Sequence, residues 1–418
     1  MPPPAADAPC PEQAFNATAL KWHTCAWLLL PVLVFLTGWM HWYAALPLTL
    51  LTAAGLAPRK RKEPQTRDSL PAFPLFTRSS FLALAAFAAL TALSGWGEWV
   101  NQHPDHIVRN ACLRELVASP WPVIFPDGNV LIYNTGFWLV PALAGKLAGL
   151  DAARVLVVLW GTWGLFLSGR RSLLLALLMA AFGSLLNLQC WLGLDLFRLH
   201  YFGTAEQIMC SANASIPVLL FFIFLASGRM PLYWMPILFA ATAFYSPLAA
   251  LGGLPLAACQ WHRQWKGVLP LRDVLLHPSF SAAVLLGACF LLYYGAVNAP
   301  SSHMGMRSFY THRGDFLLMA TSFLLYALFC WRDFRKNPLF ICTLATGLIL
   351  PFFYVNGDVN DLLCKGSVPV MACLLAFLAS SWTRHPGLRV WIWLLLAFGL
   401  APRFNIPYYC CSSSALQA

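Results

Sequence analysis

Four polar clusters interrupt an otherwise apolar chain, and each carries side chains able to do chemistry. The first begins DHIVRNACLRELVAS at Asp105, a carboxylate that can take a proton from an attacking hydroxyl, and it continues to the amide of Asn110. The second, LQCWLGLDLFRLHYFGTAEQIMCSANASIP, holds Asp195, Arg198 and His200 close together. The third, NAPSSHMGMRSFYTHRGD, gathers His303, Arg307, His312 and Arg313, and arginine offers a planar fork to phosphate oxygens. The fourth, YVNGDVNDLLCKGSVP, contains Asp358, Asp361 and Lys365.

Each cluster also has a plain structural explanation. Asp105 follows a proline at the start of a helical pattern, where an aspartate makes a good N-cap, so capping alone would account for it. Asp195 and Arg198 can pair across one helical turn. The third cluster can meet lipid headgroups instead of a substrate phosphate, and Asp361 can cap a helix while Lys365 neutralises a carboxylate. Two carboxylates do not define a metal site, although Mg²⁺ or Mn²⁺ held jointly with a donor phosphate is compatible with them. Neither GxSxG, a Walker loop, GxGxxG nor HExxH occurs, which argues against the common hydrolase, nucleotide-binding and zinc-protease classes.

The elements that must position these clusters are membrane helices. Hydrophobic residues make up 59% of 418 and charged residues 10%, far below the ~25% of soluble domains. Apolar runs at 24–41, 42–56, 79–97, 152–168, 172–188, 213–227, 231–246, 247–260, 280–297, 315–331, 338–355, 367–382 and 389–402 predict an all-α polytopic protein with about 13 membrane segments, several of half-helix length. The opening segment has no basic n-region, so the first run reads as a retained span. Asp105 begins a predicted amphipathic surface helix with Ile107, Val108, Ala111, Cys112 and Leu116 as its apolar stripe and His106, Asn110 and Arg114 as its polar row.

Basic loops set the orientation. Arg59 to Arg67, Arg170 and Arg171, Arg229, Arg263 to Arg272, Arg332 to Lys336, and Arg384 with Arg389 fall on one cytoplasmic face only if 131–150 does not cross the bilayer. That stretch carries Asn134, Pro141, Lys146 and glycines, which suits a re-entrant or interfacial helix. The N-terminus is then cytoplasmic and the four clusters lie outside. A net charge of +11 needs no nucleic acid, because basic inner loops meet an anionic leaflet. Most of the thirteen cysteines sit in spans as small apolar residues, while Cys190 and Cys210 share an outer loop and can pair.

The ordered series DHIVRN (105–110), Trp121-Pro122-Val123, YNTGFWLVPALAGK (133–146), Trp160-Gly161-Thr162, Gly193-Leu194-Asp195, and Asn360-Asp361 ahead of Ser367-Val368-Pro369 resembles a group of bacterial multi-span proteins, themselves similar to the C-type glycosyltransferase superfamily. The resemblance covers roughly 79–402 and divides the chain into an N-terminal hairpin with a basic loop (1–78), a transferase-like core (79–402) including the outer loop 98–151, and a short tail (403–418). It implies an enzyme of the bacterial inner membrane that moves a sugar from a polyprenyl-phosphate-linked donor to an extracytoplasmic glycan, lipid or protein, among membrane lipids and glycan-assembly proteins. Asp105 matches the superfamily's acidic position for a general base or acceptor-orienting group. Asn110, Asp195, His200, His303, Arg307 and Asp361 are the accompanying candidates for substrate binding. This chain lacks the large C-terminal outer domain and the paired aspartates of better-known members.

Two other classes compete. A flippase for a lipid-linked glycan calls for broken helices and charges within the spans. A non-catalytic assembly subunit would use Asp105 only for folding or partner contact.

Overall fold

The computed structural model describes residues 11–57, 77–100, 102–170, 172–183, 201–266, 270–296, 304–309, 313–355 and 361–400. Their helices are α1 (Pro11–Trp39), α2 (Trp42–Leu56), α3 (Arg78–Leu93), α4 (His106–Ala118), α5 (Gly136–Ala148), α6 (Leu150–Ser168), α7 (Leu173–Ala181), α8 (Thr204–Ala226), α9 (Trp234–Tyr245), α10 (Pro247–Trp265), α11 (Leu271–Leu275), α12 (Pro278–Gly295), α13 (Arg313–Phe334), α14 (Pro338–Ile349), α15 (Asp361–Gly366), α16 (Val368–Arg384) and α17 (Arg389–Leu400). A three-residue ribbon pairs β1 (Met304–Met306) antiparallel with β2 (Phe353–Val355), Gly305 opposite Tyr354.

Five stretches among the described residues are long and apolar enough to cross a bilayer: Thr18–Trp39, Leu150–Ser168, Thr204–Ala226, Pro278–Gly295 and Asp361–Arg384. Helices satisfy their own backbone hydrogen bonds, which an apolar solvent demands. The chain is an all-α integral membrane protein. Shorter apolar helices, α2, α3, α5, α9 and the α14 segment to Phe352, fill the spaces between the long ones.

Local sequence sets the helix starts. Ser246 caps α10 by accepting from Ala249 N–H at 3.3 Å, with Pro247 at the first helical position, and Asn337 does the same for α14 ahead of Pro338, accepting from Leu339 N–H at 3.0 Å. Small residues then let the helices close on one another. A Cβ on Gly164 of α6 would stand 2.6 Å from Ile216 and 2.7 Å from Trp27, and one on Gly252 of α10 would overlap the backbone of Gly366. Residues of α1 and α2, including Trp27, Phe35 and Leu48, belong to the same buried core as α8 and α16.

The two ends of the bundle can be told apart by contact. At one end Trp234 of α9 donates to the Leu56 carbonyl of α2 at 3.1 Å, and Gly55 abuts the Ser279 backbone of α12. At the other, Phe35 of α1 meets Tyr293 of α12 edge-on, centroids 5.1 Å apart. Both termini of α5 belong to this second end. Tyr133, just before α5, donates its N–H to the Tyr293 hydroxyl at 3.2 Å, and Lys146 in its last turn lies 5.0 Å from the ring of Trp121, which packs on Trp39 at the end of α1. The helix has 13 residues, about 20 Å, against a hydrocarbon core of about 30 Å. That length is too short to cross the core unaided.

Single cysteines introduced at the exposed positions Asn129 and Asp151, before and after α5, should react with an impermeant maleimide from the same side of sealed vesicles. Labelling from opposite sides would contradict this placement.

Candidate functional site

The geometry of the site begins with a break in a membrane helix. Ser211 has φ −154° and ψ 49°, so α8 is interrupted one third of the way along. Carbonyls beside such a break need other donors. Trp96 Nε1–H donates to Ile208 O at 2.8 Å, the His106 ring donates through Nε2 to Met209 O at 2.9 Å, and Ser215 Oγ donates to Gln207 O at 3.2 Å. Two of these donors come from the stretch that follows α3, so the break anchors that stretch.

That segment is further locked by charge. Gly95 and Gly97, at φ 89° and 94°, form the turn that buries Trp96 between them. Glu98 accepts from Arg114 of α4 at 2.8 Å and from Arg154 of α6 at 2.6 Å, while Arg154 also donates to Asp151 at 2.9 Å. Lys146 of α5 donates to Ser119 O at 2.5 Å just past the end of α4, where helix carbonyls lack intrahelical partners. Asn110 donates to Gln102 Oε1 at 2.8 Å, and Gln102 donates in turn to Gly95 O at 2.6 Å. Asn110 thus ties α4 to the Trp96 turn.

Asp105 does not cap α4. Its backbone is already helical, at φ −58° and ψ −22°, and its side chain makes no capping hydrogen bond. Instead the carboxylate, 52% exposed, accepts from Arg109 Nη2 at 3.3 Å, one helical turn on, with His103 Nδ1 3.7 Å away. Arg109 is the opposite case. It is only 6% exposed, its Cζ lies 6.0 Å from the Trp96 ring centroid, and its Nε and Nη1 are buried with no partner among the described residues. Buried charged donors without acceptors are costly, so two on one guanidinium call for an explanation.

The apolar stripe expected for α4 is rotated. Cys112 and Leu116 are buried as expected, together with His106, Arg109 and Leu113, whereas Ile107 and Val108 are 73% and 59% exposed. The neighbours to be filled are the Trp96 ring and the broken α8, and these take aromatic and cationic groups. Burial also holds the His106 ring pKa below its usual range, and nearby Arg109 adds to that effect. With Nε2 donating to a carbonyl, Nδ1 of the neutral ring is left as a buried acceptor.

A second carboxylate and cation pair stands across α8. Lys365 donates to Asp361 at 3.1 Å on α15, and Gln207 Nε2–H reaches from α8 to Cys364 O at 2.7 Å. Cys210 lies within electrostatic reach of Asp105, Arg109, Glu206 and Cys364, and Cys364 within reach of Glu206, Asp361 and Lys365. Asp105 and Asp361 therefore flank one broken helix. Arg307 follows β1, donates its backbone N–H to Phe352 O at 2.7 Å and lies 5.5 Å from the Tyr354 ring; β2 in turn abuts α15. These contacts connect Arg307 through β2 to the helix that carries Asp361 and Lys365. Asp195, His200, His303 and Cys190 lie outside the described residues. No three histidine, cysteine, aspartate or glutamate side chains converge as metal ligands among the described residues, and both carboxylates accept from cations.

Sequence reasoning missed Arg109, His106 and Gln207. The spacing of Asp105 and Arg109 was the available signal, since oppositely charged residues four apart share a helix face. Comparisons with protein-family models, curated proteins and solved structures find no match to this chain.

The lowered His106 pKa gives a pH signature. An unfolded histidine takes up a proton near pH 6.5, the folded one only at lower pH, so the unfolded state binds more protons in that window and stability falls as pH drops. The melting temperature in detergent should decline from pH 7.5 to 5.5. In His106→Asn, whose amide can still donate to Met209 O, the decline should be smaller; an equal decline would remove His106 as its source.

Proposed function

We propose that this chain is an integral-membrane glycosyltransferase of the C-type, taking a sugar from a polyprenyl-phosphate carrier and passing it to an acceptor outside the cytoplasm. The observation that carries the reading is the pairing of an accessible carboxylate, Asp105, with a buried guanidinium that has two unused donors, Arg109, beside a broken membrane helix. In this reading the chain crosses the membrane about 13 times with its N-terminus inside, and α4 and α5 border a lipid-facing cleft on the outer side.

The chemistry divides between the two residues. Asp105 takes the proton of the acceptor hydroxyl as that oxygen bonds to the anomeric carbon. The bond from the carbon to the carrier phosphate breaks with its electron pair on the phosphate oxygen, and Arg109, donating from Nε or Nη1, takes up the charge that develops there. The donors are held rigidly by Trp96 and need not reorganise at the moment of reaction. Asp361 and Lys365 border the same helix from the other side, with Arg307 next to them, and these residues with Asp195, His200 and His303 serve the sugar, the acceptor or the rest of the lipid head. Asn110 supports the site through Gln102. A lipid phosphate as leaving group requires no nucleotide-binding loop.

One observation favours a second reading. The buried polar row Gln207, Ser211, Asn213 and Ser215 around the break in α8 is the kind of feature found in transporters, and a flippase would move the lipid-linked sugar without cleaving it.

The test uses purified protein in liposomes with a polyprenyl-phosphate sugar and candidate acceptors. Wild type should release free polyprenyl phosphate. Folded Asp105→Asn should transfer about 100-fold more slowly, and Arg109→Lys, which keeps the charge and loses the fork, should weaken donor binding roughly 10- to 150-fold. Normal transfer by Asp105→Asn would end the catalytic assignment, and movement of intact donor across the bilayer without cleavage would favour the flippase.

A further inference from the structure

At the far end of the bundle an apolar cavity opens between α13 and the turn that joins α16 to α17. Its volume is about 660 Å³, within the range of ligand pockets, and its walls are Leu325, Leu328, Phe329, Pro386, Gly387 and Leu388. Two polar residues, Arg332 and His385, complete the lining. The 24-residue span Asp361–Arg384 runs from the Asp361 pair to this cavity, about 36 Å at 1.5 Å per residue, so it is separate from the site around Asp105.

The rim is strongly basic. Arg332 lines it from α13, Arg335 and Lys336 directly follow that helix, Arg384 ends α16 and Arg389 begins α17 on either side of the lining turn, and all five are exposed. The neighbouring carboxylate, Asp333, is already engaged: Ser381 Oγ donates to it at 2.9 Å and the His385 ring lies 2.9 Å away. Arg384 lies over the Phe334 ring, its Cζ 5.2 Å from the centroid. Exposed Trp331, Trp391 and Trp393 ring the same level, and tryptophan concentrates where hydrocarbon gives way to headgroups. A greasy cavity at headgroup depth under a cationic rim matches one kind of molecule, with an acyl chain below a negative phosphate.

We infer that this cavity is a binding site for an anionic phospholipid, with the acyl chain along Leu325, Leu328, Phe329 and Leu388 and the phosphate held by Arg332. Cationic pockets between membrane helices select acidic lipids in this way, because the rim neutralises the headgroup while the groove takes the chain. The assignment stands whether or not Asp105 transfers a sugar. It makes the lipid a structural ligand joining α13 to the α16–α17 turn.

The experiment uses full-length, delipidated protein in neutral detergent, with binding read by native mass spectrometry and by thermal shift. Phosphatidylglycerol should bind and raise the melting temperature, phosphatidylcholine at least tenfold more weakly, and glycerol phosphate alone should have no effect at the same concentration. Arg332→Gln should lower phosphatidylglycerol affinity roughly tenfold, and Leu328→Trp, which fills the groove from an exposed position, should lower it without altering the rim. Equal binding of the two lipids by wild type would overturn the proposal, with no variant needed. So would wild-type affinity in both variants, or an equal response to glycerol phosphate, which would mark a plain anion site.

Discussion

A charge inside an apolar bundle must meet an opposite charge, and at Arg109 that requirement is only half met. One nitrogen reaches Asp105; the other two are buried near Trp96 with no partner among the described residues. Most of the surrounding architecture can be traced to holding that arrangement. The turn at Gly95 and Gly97 buries Trp96, Glu98 gathers Arg114 and Arg154, and the carbonyls beside Ser211 receive the indole and the imidazole. If any of these were relaxed, the guanidinium could turn to water and the cost of its unmet donors would vanish. The surroundings hold the guanidinium in that buried position.

The break in α8 links Arg109 and its neighbours to the rest of the protein. A continuous helix would keep the Ile208 and Met209 carbonyls for its own N–H groups, and the Trp96 segment would have nothing to hold. With the break, Gln207 can bridge to α15 while Ser211 and Ser215 each approach its Oε1 to 3.1 Å. Close approaches at small residues, Gly252 against Gly366 above all, bring α10 against the α15–α16 junction and fix where Asp361 stands. Two carboxylates from distant parts of the chain are thereby aligned on one helix.

Much of the helical plan was legible because apolar runs of bilayer length have few alternative meanings. The run predicted at 42–56 is α2, 389–402 overlaps α17, and 131–150 contains the short helix α5. The start of α8 was not legible. Glu206, Gln207 and Ser211 look like loop residues, and the span was placed from 213, but they lie in a helix that begins at Thr204 because α15, the Trp96 turn and their own hydrogen bonds satisfy them. The same blindness to partners applies to α4. Periodicity identified an amphipathic helix and Asp105 at its start, yet which face is buried depends on Trp96 and Met209, which are distant in sequence. The reading of Asp105 as a cap failed for a local reason, since its own backbone is helical.

The central claim is that the two unused donors of Arg109 exist to hold the phosphate of a lipid carrier. A cryo-electron-microscopy structure of the protein with polyprenyl phosphate in nanodiscs tests it most directly. A phosphate oxygen should lie about 2.7–2.9 Å from Arg109 Nε or Nη1, with the Asp105 carboxylate left facing the open side where an acceptor would arrive. Phosphate density held elsewhere, at Lys365 or Arg307 for example, with the two Arg109 nitrogens still unpaired, would contradict it.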